Sequence, residues 1–250
     1  MTFPTMEHAE AARMVAEYTD SLPGVDTVLV VNSCARGKAV AESDLDMAIL
    51  MTSPVDEATL ESAWQAHAAS NATLQAFCNR SLCSAVHVDF FDGTFEPAIW
   101  DDGGGPDDFE IEIGNRVAHA LPLHDAGTAF QELQTRWLPY YEEPLRNTRL
   151  SMMQTACLYD LDLVPFYIGR GLFLQAFDRL YKAFGEYLQA LFTANRTYPI
   201  AYNKWLAEQL EMIDRSDLYE PLLTVLSVSE LKTGGLSDNA NLLRELAVKL

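Results

Sequence analysis

Asp44 and Asp46 stand two residues apart at the opening of the apolar run Leu45 to Met51. If that run is a strand, residues two apart project to one side, and both carboxylates face the same way. Carboxylates held side by side repel each other unless a positive charge lies between them. A hard divalent cation that prefers oxygen ligands, Mg²⁺ above all, fits that need. A third acid has a similar setting, because Asp89 interrupts the apolar run Val86-His87-Val88-Asp89-Phe90. An acid in such a run costs free energy unless it is paired or bound to metal. With the two strands adjacent, Asp44, Asp46 and Asp89 meet at one sheet edge. Two Mg²⁺ ions held there would position a nucleophile for in-line displacement at phosphorus. His87 is read as a structural residue pointing to the face opposite Asp89.

The elements that must position these acids are legible around them. Met6 to Tyr18 reads as a helix ended by Pro23-Gly24, and Val25 to Val31 is a β-branched run suited to a buried strand. Asn32 to Ser43 is small and polar and forms the connecting loop, with Ser33 and Gly37 in it. Asp56 to Ala69 reads as a helix and Ala85 to Phe91 as the third strand. Asp92 to Asp108 is acidic and glycine-rich and reads as a mobile loop, with Glu110 to Leu123 adding a strand or two. Beyond Gly127 the pattern is helical, at 128–141, 144–161, 165–193, 202–213, 218–227 and 237–248. The aromatic stripe from Phe166 through Phe173, Phe177 and Phe184 reads as the core face of one long helix. The fold class is therefore α+β. A mixed-sheet domain with helices on one face spans about residues 1–125, a helical bundle spans 126–250, and the active site is expected in the cleft between them.

The order of these residues resembles the nucleotidyltransferase superfamily that includes DNA polymerase beta, kanamycin nucleotidyltransferase and the aminoglycoside adenylyltransferases. That signature is an apolar strand, Gly-Ser, a short gap, Asp-x-Asp, and a third acid on a later strand. This chain has Asn32-Ser33, Ala35-Arg36-Gly37, Ser43-Asp44-Leu45-Asp46 and Asp89. Asn32 replaces the signature glycine, and asparagine tolerates the left-handed backbone such a turn requires. The segment Leu191 to Pro199, followed by Lys204-Trp205, is similar to the helical domain of bacterial small-molecule members.

The resemblance implies transfer of a nucleoside monophosphate, AMP from ATP or another NTP, onto an acceptor hydroxyl with release of pyrophosphate. It assigns the metals to Asp44, Asp46 and Asp89, and the acceptor's proton to Asp89. The nucleotide falls to Asn32, Ser33, Arg36 and Lys204, with Arg170 the second choice as the cation from the helical half. It also implies a small hydroxyl-bearing acceptor. Two other readings stay open: nucleotidylation of a protein partner, and a non-catalytic nucleotide-binding module.

Composition narrows the classes further. Hydrophobic residues make up 49% of the 250, far above a disordered chain, so a full core is expected. The formal charge is −19, which disfavours nucleic acid as the partner and draws cations. Residues 1–125 hold 21 acidic against 5 basic residues. Asp92, Glu96, Asp101, Asp102, Asp107, Asp108, Glu110 and Glu112 follow the third strand, and they make a cationic, aminoglycoside-like acceptor the working example. Cys34, Cys78, Cys83 and Cys157 form no CxxC pair and no zinc spacing, so reduced thiols are expected. The N-terminus has acids where a secretion signal would be basic, and no stretch approaches a membrane span. A cytoplasmic location is the expectation.

Overall fold

A computed structural model describes residues 2–52, 56–98, 104–232 and 235–250. They form two compact units, Met1–Phe95 with Glu112–Pro139, and Glu96–Ile111 with Tyr140–Leu250.

The first unit is built on a sheet ordered β3-β2-β1-β4. Its strands are β1 (Val25–Val30), β2 (Leu45–Met51), β3 (Val86–Phe91) and the two-residue β4 (Leu121–Pro122). β2 runs antiparallel to β1 and parallel to β3, while β4 runs antiparallel to β1, so the sheet is mixed. Strand alternation then assigns the faces. Leu45, Met47, Ile49, Val88 and Phe90 are buried in one core with Ala11, Val15, Trp64, Leu74 and Phe77. Those partners lie on α1 (Met6–Thr19), α3 (Glu57–Ser70) and α4 (Ala72–Cys78).

The opposite face carries Asp46, Ala48, Leu50, His87, Asp89 and Phe91. It is not bare. Phe91 meets Phe95, and Phe95 meets Trp137 edge-on at 5.7 Å, which brings α6 (Thr128–Trp137) over that end. Helices therefore cover both faces, not one, and α6 packs in the first unit. Its N-terminus is fixed by Asp26 of β1, whose carboxylate accepts from the Ala129 and Phe130 amides at 3.0 Å. A Cβ on Gly127 would lie 2.4 Å from that carboxylate, so the close approach requires glycine.

Three local expectations are corrected. The loop after β1 begins with one helical turn, α2 (Asn32–Ala35). Of the strand or two expected in 110–123, one forms, the short β4 at the sheet edge; the rest is largely helical, with α5 (Phe109–Ile113) followed by a π-helical turn at Gly114–Ala118. The alternation Glu110-Ile111-Glu112-Ile113 imitates a strand, but Phe109, Ile113 and Val117 are all buried at steps of four. The third correction concerns Pro165. α7 (Glu143–Gly169) continues through it, and the chain reverses only at Arg170-Gly171-Leu172, where Gly171 has φ +72°. Proline removes one helical hydrogen bond. Cys157, Leu161 and Val164, buried in the core of α8 (Phe173–Ala194), hold the helix across that gap. Phe166 therefore lies on α7, half exposed, and the stripe on α8 starts at Phe173.

In the second unit α7 and α8 pack against each other, joined by α9 (Leu206–Met212), α10 (Tyr219–Val225) and α11 (Gly235–Ala247) around one apolar core. Arg179 of α8 donates to the buried Asp160 of α7 at 2.6 Å. Of the segment Asp92 to Asp108, expected to be a mobile loop, residues 99–103 lie outside the described residues, and 104–108 are held with α5 against these helices. Arg149, 2% exposed, pairs with Asp107 at 2.7 Å and Glu110 at 2.8 Å. Gln189 and Tyr141 donate to the same Glu110 carboxylate at 2.7 and 2.8 Å. Buried charges persist only when paired and hydrogen-bonded, and here every partner is supplied. All four cysteines are free. Among the described residues no helix is long and apolar enough to cross a membrane.

Candidate active site

The acids sit where β1 ends and the parallel strands β2 and β3 begin. Val31, just past β1, donates its amide to the Asp46 carbonyl at 3.1 Å, which sets Asn32 beside Asp46. Asn32 has φ +54°, the left-handed conformation expected of the residue in the glycine's place. Its side chain does more than tolerate the turn, since its polar interaction with the Asp46 carboxylate favours the ionised form of that group. The turn closes on Ser33, whose carbonyl accepts the Lys38 and Ala39 amides at 2.9 and 3.2 Å. Gly37, at φ +66°, completes it. Arg36 caps the end of α2 and is half-buried.

The other side of the loop is tied down by a residue that sequence reasoning missed. His8 of α1 is fully buried, and its Nε2–H donates to the Ser43 carbonyl at 3.1 Å. Its Nδ1 faces the Thr5 hydroxyl at 2.9 Å. Burial, the largest influence, lowers the pKa of this imidazole and favours the neutral form these two contacts need. The Cys34 thiol donates to the Asp44 carbonyl at 3.7 Å. Burial and the two nearby aspartates push that thiol up to about 11, so it is no nucleophile at neutral pH.

The carboxyl of Asp46 is held above the ordinary aspartate range, first by burial. The interaction with Asn32 opposes that shift, and the Asp44 charge adds to it.

His87 is the main correction at the site. Residues 87 and 89 are two apart on β3, so they share a side rather than oppose each other. The parallel register sets His87 level with Asp46 and Asp89 level with Ala48. His87 Nε2 lies 3.9 Å from the Asp44 carboxylate. Among the described residues, Asp44, Asp46 and His87 offer ligand atoms that all lie within 4.8 Å of one another.

Asp89 is on the same face and adds to the negative field at Asp46, but it stands outside that close group. Its side chain is 56% exposed and lies 3.9 Å from Arg116, which the π-helical turn presents and which also lies 3.8 Å from Glu112. Lys204 and Arg170 belong to the second unit. Lys204 is exposed on the bend before α9, where its carbonyl accepts from Gln209 at 2.8 Å. Arg170 caps α7 and lies over the Phe166 ring.

No protein-family model matches the chain, and no curated protein does. Among solved structures, it is similar to a nucleotidyltransferase-like protein from Exiguobacterium sibiricum 255-15. The identity is 13% over 98% of this chain and 75% of that one, with a TM-score of 0.47.

Proposed function

We propose that this chain transfers a nucleoside monophosphate, AMP from ATP, to the hydroxyl of a small acceptor and releases pyrophosphate. The observation that carries the reading is the meeting of the left-handed Asn32-Ser33 turn with Asp44 and Asp46 at one sheet edge. The signature places these residues in that order, and the geometry supports a shared task for them.

The donor set fits a divalent cation. Two carboxylates open to one side, and the raised Asp46 carboxyl marks the charge that a cation would offset. Asp44 and Asp46 would hold Mg²⁺, two ions in the full site, with Asp89 contributing to one of them. Bound there, the metal would neutralise charge developing at the α-phosphate and the leaving oxygen. Ser33, Asn32, Arg36 and Lys204 would hold the phosphates, as the resemblance assigns them. The acceptor oxygen bonds to the α-phosphorus, the bond to the β-phosphate oxygen breaks, and pyrophosphate leaves. The hydroxyl proton would pass to Asp89, whose side chain is 56% exposed beside Arg116. Catalysis rests on positioning and charge neutralisation, with no covalent enzyme intermediate.

The net charge favours a cationic acceptor and disfavours nucleic acid. Asp107 and Glu110 are removed from the acids that would receive it, because both carboxylates are already held on Arg149 and Gln189.

The test is pyrophosphate release with ATP, Mg²⁺ and a panel of hydroxyl-bearing amines. The wild-type chain should turn over with at least one acceptor. Asp46→Asn should lose activity by about 10²-fold or more while remaining folded, since it removes charge rather than packing. Equal release by the variant, or none from the wild type with any acceptor, would end the proposal.

A further inference from the structure

We infer that His87 is a ligand of the cation held by Asp44 and Asp46, so that the site selects a first-row transition ion such as Mn²⁺ over Mg²⁺. The inference deepens the transfer reading and rests on it for what the ion does.

Position makes the first argument. The parallel register puts His87 level with Asp46, one strand across and on the same face. Neighbouring strands lie about 4.8 Å apart, so level side chains on one face converge on a common ligand. Distance makes the second. The 3.9 Å between His87 Nε2 and the Asp44 carboxylate is too long for a hydrogen bond. It is a spacing one ion can bridge, since bonds of about 2.1 Å on each side reach up to about 4.2 Å. All three ligand atoms lie within 4.8 Å of one another, and Asp89 is not in that group.

Access makes the third. The His87 side chain is 58% exposed, so the imidazole is reachable from solvent and leaves room for further ligands from a substrate. His8, the other histidine near Asp44, is spent on Ser43 and Thr5.

Chemistry converts this geometry into selectivity. Mg²⁺ dehydrates reluctantly and prefers an all-oxygen shell. Imidazole nitrogen raises affinity for the transition series, from Mn²⁺ upward. Two carboxylates and one imidazole therefore favour Mn²⁺, and replacing the imidazole with a third carboxylate should reverse the preference.

Mn²⁺ itself is the probe, added to the metal-free full chain without nucleotide. Pulsed electron paramagnetic resonance should show coupling to one imidazole ¹⁴N, and His87→Ala should abolish it. Parallel titrations with Mn²⁺ and Mg²⁺ should show the preference for Mn²⁺ falling about 10-fold or more in His87→Ala, given that even supporting groups are worth 10–100-fold. His87→Asp should raise Mg²⁺ affinity relative to His87→Ala. Thermal midpoints serve as the folding control, and an exposed histidine should leave them unchanged. Absent ¹⁴N coupling, coupling that survives in His87→Ala, or an unchanged preference would overturn the inference. If pyrophosphate release with Mg²⁺ persists in that event, the transfer reading stands without it. Coupling without release would support His87 as a ligand and reject the transfer.

Discussion

Asn32 shows how one residue can serve two ends. Its φ of +54° meets the demand of the turn, and its side chain reaches the Asp46 carboxylate. Asn32→Gly keeps the first property and deletes the second. A polar interaction that favours the ionised form lowers a carboxyl pKa, so its loss should raise that of Asp46 further. Followed by carboxyl ¹³C shifts in metal-free protein, the Asp46 midpoint should lie above the ordinary 3.8, rise in Asn32→Gly and fall in Asp44→Asn. A wild-type midpoint at or below 3.8 would show that burial does not govern the site.

The sign for stability follows from the same shift. A folded-state pKa above the unfolded value gives stability that is fully present below about 3.9 and lost as pH rises through the folded value. Metal-free Asp46→Asn should therefore unfold at a higher temperature than wild type at pH 7, and the gap should close in acid. The spacing of Asp44 and Asp46 was readable from two-residue alternation alone. His87 was readable by the same rule, because it shares parity with Asp89, and assigning it to the opposite face misapplied that rule. The His8 contact was not readable. It joins residues 35 apart, and nothing local to either marks the pair.

At the scale of elements, a continuous apolar run marks a strand buried on both faces. β2 runs over Leu45–Met51 as its pattern predicts. The pattern failed where a charged residue is buried. Glu110 looks like the exposed half of a strand alternation, yet it is 1% exposed because Arg149, 39 residues on, neutralises it. For residues 104–108 the expectation of a mobile loop failed for the same reason, since glycine describes the chain's freedom and not its anchors. Gly185 of α8 makes room for the returning segment, because a Cβ there would lie 2.7 Å from Pro106.

The weight of this anchor is measurable. Arg149→Met leaves Asp107 and Glu110 without their counter-charge and should cost about 3–5 kcal/mol at pH 7. The unpaired carboxyls would then have raised folded-state pKa values, so the deficit should shrink as pH falls and they protonate. Chemical denaturation at pH 7 and pH 5 reads both. A loss under about 1 kcal/mol, or one that grows in acid, would mean the network is incidental.

Over the whole molecule, the division into a sheet-bearing part and a helical part was legible from the change in periodicity and in charge near residue 125. The compact units interleave along the chain, with Glu96–Ile111 in the second and Glu112–Pro139 in the first, where Asp26 and the contact of Phe95 with Trp137 draw α6 onto the sheet. The net charge of −19 belongs to this scale too, and it should act on an acceptor through its field. Such steering weakens with salt, since the Debye length falls from about 10 Å at 0.1 M to about 3 Å at 1 M. KM for a cationic acceptor should rise more steeply with ionic strength than KM for a neutral one. Parallel slopes would remove charge from the account of acceptor choice.

The central claim, that the Asp44–Asp46 edge moves a nucleotidyl group, is tested most directly by following the label of ATP. With ³²P at the α-position, label should appear on the acceptor, in equal amount to the pyrophosphate formed, and Asp46→Asn should prevent both. Label reaching the acceptor from the γ-position, with the α-label left on ADP, would contradict it.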